Sequence, residues 1–309
     1  MCLMFSRSIR ARYMIDEQAL LDLANKQLSA CGASLLSDMR NKVTLMQEFV
    51  ANLSADQPIA LITSGGTTVP IEKNTVRFID NFSTGIRGAR LAEYFISRNY
   101  AVIFLHRSGS AFPFLHRICD PTKPTEVLKS GIEPHTVPSN FHCLQFTQVF
   151  EYIVILREIL VSIRKFEKSA FVCLAAAVSD FYVPYDHMSD HKIQSRASGD
   201  LHIVLRQVPK SLELVKKLWN TKAFVLAFKL ETDDGLLMQK AQQSLETNLV
   251  DAVLANELHT RYDKVFLVRD FGKDVEVLER HNVDDELEES SIGPALVRIH
   301  QQYALDRES

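Results

Sequence analysis

The five cysteines of this sequence form no CxxC pair: Cys2, Cys31, Cys119, Cys143 and Cys173 are odd in number and scattered. A disulfide framework and a cysteine-built zinc site are therefore excluded, and reduced, partly buried thiols in a cytosolic protein are the expectation. No apolar run approaches the roughly 20 residues of a membrane span. Charge of one sign is not in excess either. Lys plus Arg is 35 against 38 Asp plus Glu, a formal net charge of −3, which argues against broad binding to nucleic acid or an anionic membrane. The nucleotide signatures GxxxxGK[ST] and GxGxxG are both absent, as is a YxxxK pair. The chain thus carries neither a Walker loop nor the marks of a nicotinamide-dependent short-chain oxidoreductase. No Ser–His or Cys–His nucleophile and no internal repeat is evident.

What is there is a regular alternation of buried-type strands and helices. At 309 residues and 46% hydrophobic, the chain is long enough for a substantial core. The start, MCLMFSRSIRARYM, carries Arg7, Arg10 and Arg12 and no acid before Asp16. That is faintly like an organelle leader; the plainer alternative is a disordered lead-in to Met14. Residues 16–53 have helical apolar spacing and predict one or two helices packed on the edge of the main body. IALIT (59–63), AVIFLH (101–106), FHCLQF (141–146), AFVCLAAA (170–177), KAFVLAF (222–228) and DAVLA (251–255) predict strands, and runs this apolar suit a parallel sheet buried on both faces. Helices are predicted from Ile86, near 147–167, 209–219 and 235–247, and near 293–305. The fold class is α/β, a doubly wound, mostly parallel sheet. LHIVLRQV (201–208) and 264–279 read as antiparallel ribbons added to it. Residues 107–140 predict a long surface excursion, and 178–200 a polar loop long enough to serve as a lid.

Five short stretches concentrate polar chemistry at strand ends. TSGGT (63–67) follows a buried strand, and paired glycines let backbone N–H groups approach an anion closely. In RFIDNFSTGIRGAR (77–90), Asn81, Ser83 and Thr84 are good helix N-caps, and Gly85 and Gly88 admit a ligand at a helix N-terminus that favours anions. Arg77 adds charge there, while Arg87 and Arg90 read as no more than surface charge. AAAVSD (175–180) places short side chains and the carboxylate of Asp180 at the carboxyl end of a strand, where open α/β sheets bind ligands. HKIQS (191–195) sets Lys192 on the polar loop, able to reach a phosphate or a developing charge. The nearby His187, His191, Asp186 and Asp190 read as solvated loop residues rather than a metal cluster. AFKLETD (227–233) and VLANE (253–257) end strands with Lys229, Glu231, Asp233 and Asn256.

The ordered set TSGGT, VRFIDNFSTGIRG, AFPF, LAAAVSDFYVP, HKIQS, VPK, AFKLETD and VLAN resembles the phosphopantothenate–cysteine ligases of coenzyme A biosynthesis. It is similar to the stand-alone animal-type form rather than to the bacterial fusion with a flavin-dependent decarboxylase. The resemblance runs from about Pro58 to the final helix. With residues 1–57 read above as leader and helices packed on the core, it implies one Rossmann-like ligase domain over 58–309 and a homodimer joined by a ribbon at about 264–279; cytoplasmic residence is the expectation. It also implies ATP as co-substrate, CTP being the bacterial alternative, with Mg²⁺ and no protein-built metal cage. By the same likeness Gly65, Ser83, Gly85, Gly88, Phe228 and Asn256 surround the nucleotide. Asn81, Ala176, Ala177 and Asp180 hold the pantothenate part, Arg77 reaches the partner subunit's substrate phosphate, and Asn81 and Lys192 take part in activation. A non-catalytic nucleotide-binding homologue is the main competing expectation.

Overall fold

The computed structural model describes residues 16–29, 32–116, 138–194, 199–280 and 286–305. The expected leader, most of the surface excursion and positions 195–198 of the polar loop lie outside the described residues.

Strands β1 (Ile59–Ser64), β4 (Ala101–Arg107), β5 (Phe141–Phe146), β6 (Ala170–Leu174), β9 (Phe224–Glu231) and β10 (Ala252–Glu257) form a parallel sheet. The order is β10-β9-β6-β1-β4-β5, and the hairpin β11 (Lys264–Arg269) and β12 (Asp274–Glu279) extends it antiparallel at the β10 edge. All six residues of β1 are buried, as expected for a strand covered on both faces. The pleat divides them: Ile59 and Leu61 join one core, Ala60 and Ile62 the other. Helix α3 (Ile86–Ser97) and helix α6 (Gly293–Leu305) line the second core through Leu91, Phe95, Leu296 and Ile299.

The first core is a layer deeper. Helix α4 (Val149–Ser162) is apolar nearly all round, because the sheet covers one side and the N-terminal helices α1 (Glu17–Ser29) and α2 (Ala33–Ala51) cover the other. Leu20, Leu28, Met39 and Met46 share one cluster with Ile153 and Ile159. Glu17 fixes the layer with polar contacts, accepting from Arg157 Nε at 3.0 Å and from Trp219 Nε1 at 2.9 Å. Residue 57 is therefore not the edge of a core.

Helix α5 (Asp234–Asn248) connects β9 to β10. Two small ribbons stand off the carboxyl end of the sheet, β2 (Thr68–Pro70) with β3 (Phe78–Asp80), and β7 (Phe181–Tyr182) with β8 (Arg206–Gln207). Here two expectations are corrected. Of 201–208, only Arg206 and Gln207 pair, and they pair with β7 rather than with the main sheet; 201–205 is extended, exposed and unpaired. Predicted strand 170–177 ends at Leu174, since Ala175–Ala177 turn across the sheet's rim.

His300 of α6 lies between the layers. Tyr100 Oη lies 2.8 Å from its Nδ1, and its Nε2 donates to the Lys168 carbonyl at 3.0 Å. Burial pushes its pKa down to about 4, against the hydrogen bonds that involve the backbone of Lys168 and Ala170. A base with a depressed folded pKa binds its proton first in the unfolded chain, so stability falls as pH drops from about 6.5 towards 4. Urea unfolding at pH 7 and pH 5 is expected to differ by about 2 kcal/mol from this residue, and the difference is expected to disappear in His300→Gln.

Candidate functional site

In open parallel sheets a crevice forms where neighbouring connections leave in opposite directions, outside the carboxyl ends of the strands. Here that point lies between β1 and β6. The turns after these strands are stitched together: Ala177 N–H donates to the Gly65 carbonyl at 2.8 Å, and Thr67 N–H donates to the Ala177 carbonyl at 2.9 Å. Ala176 N–H is held by Thr63 Oγ1 at 3.1 Å. Gly66 has no room for a side chain, since a Cβ there would overlap the carbonyl oxygen of Asn81. The TSGGT turn and the chain entering α3 are thus in backbone contact.

Asn81 is aimed by this packing. Its backbone N–H donates to the Thr67 carbonyl at 3.2 Å, and its Oδ1 accepts from Ser179 Oγ at 2.9 Å. Ser179 in turn receives Thr67 Oγ1 at 3.1 Å and gives its N–H to that same oxygen at 2.9 Å. With Oδ1 occupied, the Asn81 amide is left to present its N–H₂ donors to the crevice it lines.

The crevice measures about 580 Å³, the size of a small-molecule site. It brings together eight of the residues picked out in the sequence: Asn81, Ser83, Gly85, Gly88, Ala176, Ala177, Phe228 and Asn256 all line it. The first turn of α3 lies in its wall, so unsatisfied backbone N–H groups of a helix N-terminus face it. That helix starts differently from expectation. Its N-cap is Gly85 at φ 79°, left-handed backbone that suits glycine, and no side chain caps it. Ser64 Oγ donates to the Gly85 carbonyl at 2.9 Å, fixing α3 to the end of β1.

Other expected residues lie elsewhere. Gly65 sits behind the wall, against Arg107 and Ser110. Asp180 lines an adjoining 280 Å³ pocket that shares Ala176, Phe228 and Lys229 with the crevice, and its carboxylate is paired with Lys210 at 2.8 Å. Arg77 and Lys192 line neither cavity. Arg87 and Arg90 are not surface charges. Arg87 pairs with the buried Glu288 at 3.0 Å and also donates to the Arg261 carbonyl; Arg90 pairs with Glu286 at 2.5 Å and Glu288 at 3.2 Å. Burial drives the Glu288 carboxyl upwards, yet the charge and hydrogen bond of Arg87, then Arg90, hold it below its usual value. Arg87, Arg90 and the carboxylate of Glu288 can be buried there because Glu286 completes the charge balance, two positive against two negative.

Sequence reasoning missed Gly66, Thr67, Ser179 and Glu288. The first three stand inside stretches already singled out, where a hydroxyl in each of two turns was the available signal. Glu288 meets α3 from some 200 residues away in the sequence, where no local signal marks it. Among the described residues no group of three or more His, Cys, Asp or Glu could hold a metal ion, and no helix is long and apolar enough to cross a membrane.

With this geometry in hand, comparison with known proteins decides the family. The phosphopantothenate–cysteine ligase of Homo sapiens is 37% identical over 290 residues, covering 85% of this chain and 93% of its relative. The chain belongs to the phosphopantothenate–cysteine ligase family. Ligase 1 of Oryza sativa is 40% identical over 262 residues, with 78% of this chain and 80% of that one covered. A family model described as the DNA/pantothenate metabolism flavoprotein C-terminal domain matches residues 156–292. Among solved structures, a Cab2 mutant in complex with phosphopantothenate-cysteine superposes with a TM-score of 0.73 at 34% identity, over 86% of this chain and 94% of that chain. The chain thus shares its mostly parallel α/β fold with that structure.

Because Gly66 packs directly on the Asn81 carbonyl, Gly66→Ala is expected to destabilise the chain by at least about 2 kcal/mol, the upper part of the overpacking range, read from urea unfolding at pH 7.

Proposed function

We propose that the protein joins 4′-phosphopantothenate to L-cysteine at the expense of ATP, releasing pyrophosphate and AMP, and so serves coenzyme A biosynthesis as a cytoplasmic enzyme. The observation that carries this is the crevice itself, where two glycine turns, a free helix N-terminus and the amide of Asn81 converge at the switch point of the sheet in a chain of the ligase family.

The chemistry follows from charge. A carboxylate resists attack by an amine, so it must first displace pyrophosphate from the α-phosphorus of the nucleotide, forming an acyl-nucleotide. The cysteine amine then attacks the acyl carbon, AMP leaves with the bonding electrons, and the amine loses a proton as the amide forms. Bringing carboxylate and triphosphate together is the hard part, and it needs donors aimed at the developing charge. Backbone N–H groups at the start of α3 face the phosphates, with Ser83, Gly85, Gly88, Phe228 and Asn256 around the nucleotide and Gly65 shaping the turn behind. Asn81 N–H₂, with Ala176 and Ala177, holds the acyl group being activated, and Asp180 and Arg77 serve the rest of phosphopantothenate. Lys192 supplies positive charge during activation.

The donor set suits Mg²⁺ carried in by the phosphates rather than by a protein cage. The carboxylates of Asp180 and Glu231 are already paired with Lys210 and Lys240, at 2.8 and 2.7 Å, and Mg²⁺ ordinarily keeps several waters. When bound, it neutralises charge across the phosphate oxygens. ATP rather than CTP is the nucleotide in this reading, supported by likeness to the stand-alone ligases.

A homodimer completes the proposal. The ribbon β11–β12 exposes Val275 and Val277, and a further apolar surface just after Arg77 exposes Phe78, Ile79 and Phe82. A second copy covering that surface brings Arg77 within reach of its partner's phosphate. Sedimentation is expected to find a dimer that Val277→Glu, in the ribbon, dissociates.

The decisive assay is pyrophosphate release from ATP or CTP with each substrate omitted in turn. Release is expected to require 4′-phosphopantothenate, and the cysteine adduct to form only with cysteine present; no release with either nucleotide would remove the ligase reading. Asn81→Asp is expected to lower turnover about 100-fold, the loss of one aimed donor, and wild-type turnover in it would remove Asn81 from the site.

A further inference from the structure

Glu72, in the turn that follows β2, is a carboxylate with no solvent contact and no place in the crevice. Its two oxygens take four N–H donors. Oε2 accepts from the amides of Val76 at 3.1 Å and Arg77 at 3.2 Å. Oε1 accepts from Arg77 Nη1 at 2.6 Å and from the amide of Ile193 at 3.0 Å. Arg77 closes the circuit, since both Nη1 and Nη2 stand 3.3 Å from the Ile193 carbonyl. Both backbone polar groups of the residue beside Lys192 therefore end on one ion pair. The hydrogen bond from Ile193 holds the carboxyl below its ordinary value against the cost of burial, and the amides of Val76 and Arg77 and the guanidinium add to it.

The neighbouring contacts run the same way. Lys73 gives its N–H to the Ser189 carbonyl at 2.9 Å and its ammonium to Asp190 at 2.6 Å, and Asn74 Nδ2 donates to the Asp190 carbonyl at 2.7 Å. These contacts lie at exposed groups and can exchange for water. The Glu72 carboxylate cannot, because a buried carboxylate stripped of one partner is left with an uncompensated charge. Arg77 nonetheless keeps 40% of its side chain exposed, enough to meet a phosphate with donors that Glu72 does not use.

We propose that Glu72 is a positioning residue for the ligase reaction: its single buried carboxylate sets the Arg77 guanidinium and the backbone that carries Lys192 in fixed register. The proposal rests on the ligase reading given above. It makes the reader of the substrate phosphate and the cation of the activation step parts of one unit, so that misplacing either misplaces both.

Glu72→Gln in the full chain tests this, since glutamine keeps one acceptor oxygen and loses the charge and the second. Turnover is expected to fall about 100-fold with KM for ATP changed less than about twofold, and KM for 4′-phosphopantothenate to rise. Combined with Lys192→Ala, the substitution is expected to slow the enzyme no further than Lys192→Ala alone, because the two act through one group. Glu72→Asp, which keeps the charge, is expected to recover part of the turnover, and it replaces Glu72→Gln in the cycle should the latter not fold. The Ile193 amide is expected to exchange its hydrogen at least about tenfold faster in Glu72→Gln, with Val172 in β6 unchanged. Wild-type turnover in Glu72→Gln, or losses that multiply with Lys192→Ala, would overturn the proposal and leave Glu72 a purely structural group. A wild-type chain that releases no pyrophosphate would overturn the ligase reading instead; Ile193 exchange then still decides whether Glu72 holds the loop.

Discussion

Two backbone hydrogen bonds carry the pairing of β1 and β6 past the ends of the strands, from Ala177 to Gly65 and from Thr67 to Ala177. Ordinarily the chain splays apart at a switch point, because its two connections leave towards opposite faces. Here the turns remain in contact after the strands have ended, and the crevice has a floor made of backbone. Gly66 can then take the Asn81 carbonyl against it, Ser179 can reach Asn81, and Ser64 can hold the start of α3. Remove the stitch and each of these groups loses the neighbour that aims it.

Charge is handled in two ways around that floor. Arg87, Arg90 and Glu288 are neutralised within the protein and tie the last helical layer to α3. The backbone N–H groups in the first turn of α3 face the crevice, so attraction for an anion there comes from dipoles that pay no desolvation cost of a full charge. An anion entering the crevice would meet a preorganised surface, with Lys229 among its lining residues and 3.6 Å from Glu231.

Much of this was legible in the sequence because it is local. Apolar runs bounded by glycine or polar turns gave away the six parallel strands, and the spacing from Ile86 gave away α3. Eight of the residues singled out at strand ends line one crevice, since parallel strands must all end at the same edge. What stayed hidden depends on contacts between distant segments. The pairing of Arg87 with Glu288 and the burial of Glu72 under Ile193 have no periodicity to betray them. The ribbon at 201–208 failed for the converse reason: its alternation marks a strand that finds only two residues of partner within one chain.

The N-terminal helices carry little of the family's motif pattern, yet they cannot be treated as an appendage. Helix α4 presents Val149, Phe150, Tyr152, Ile153, Leu156 and Leu160 all as buried side chains, more apolar faces than a sheet alone can cover. Without α1 and α2, one of those faces would be left to water, so the burial of α4 depends on that pair. Among the described residues none of α1, α2 or α4 lines the crevice itself, although Tyr152 and Leu156 of α4 line the adjoining pocket.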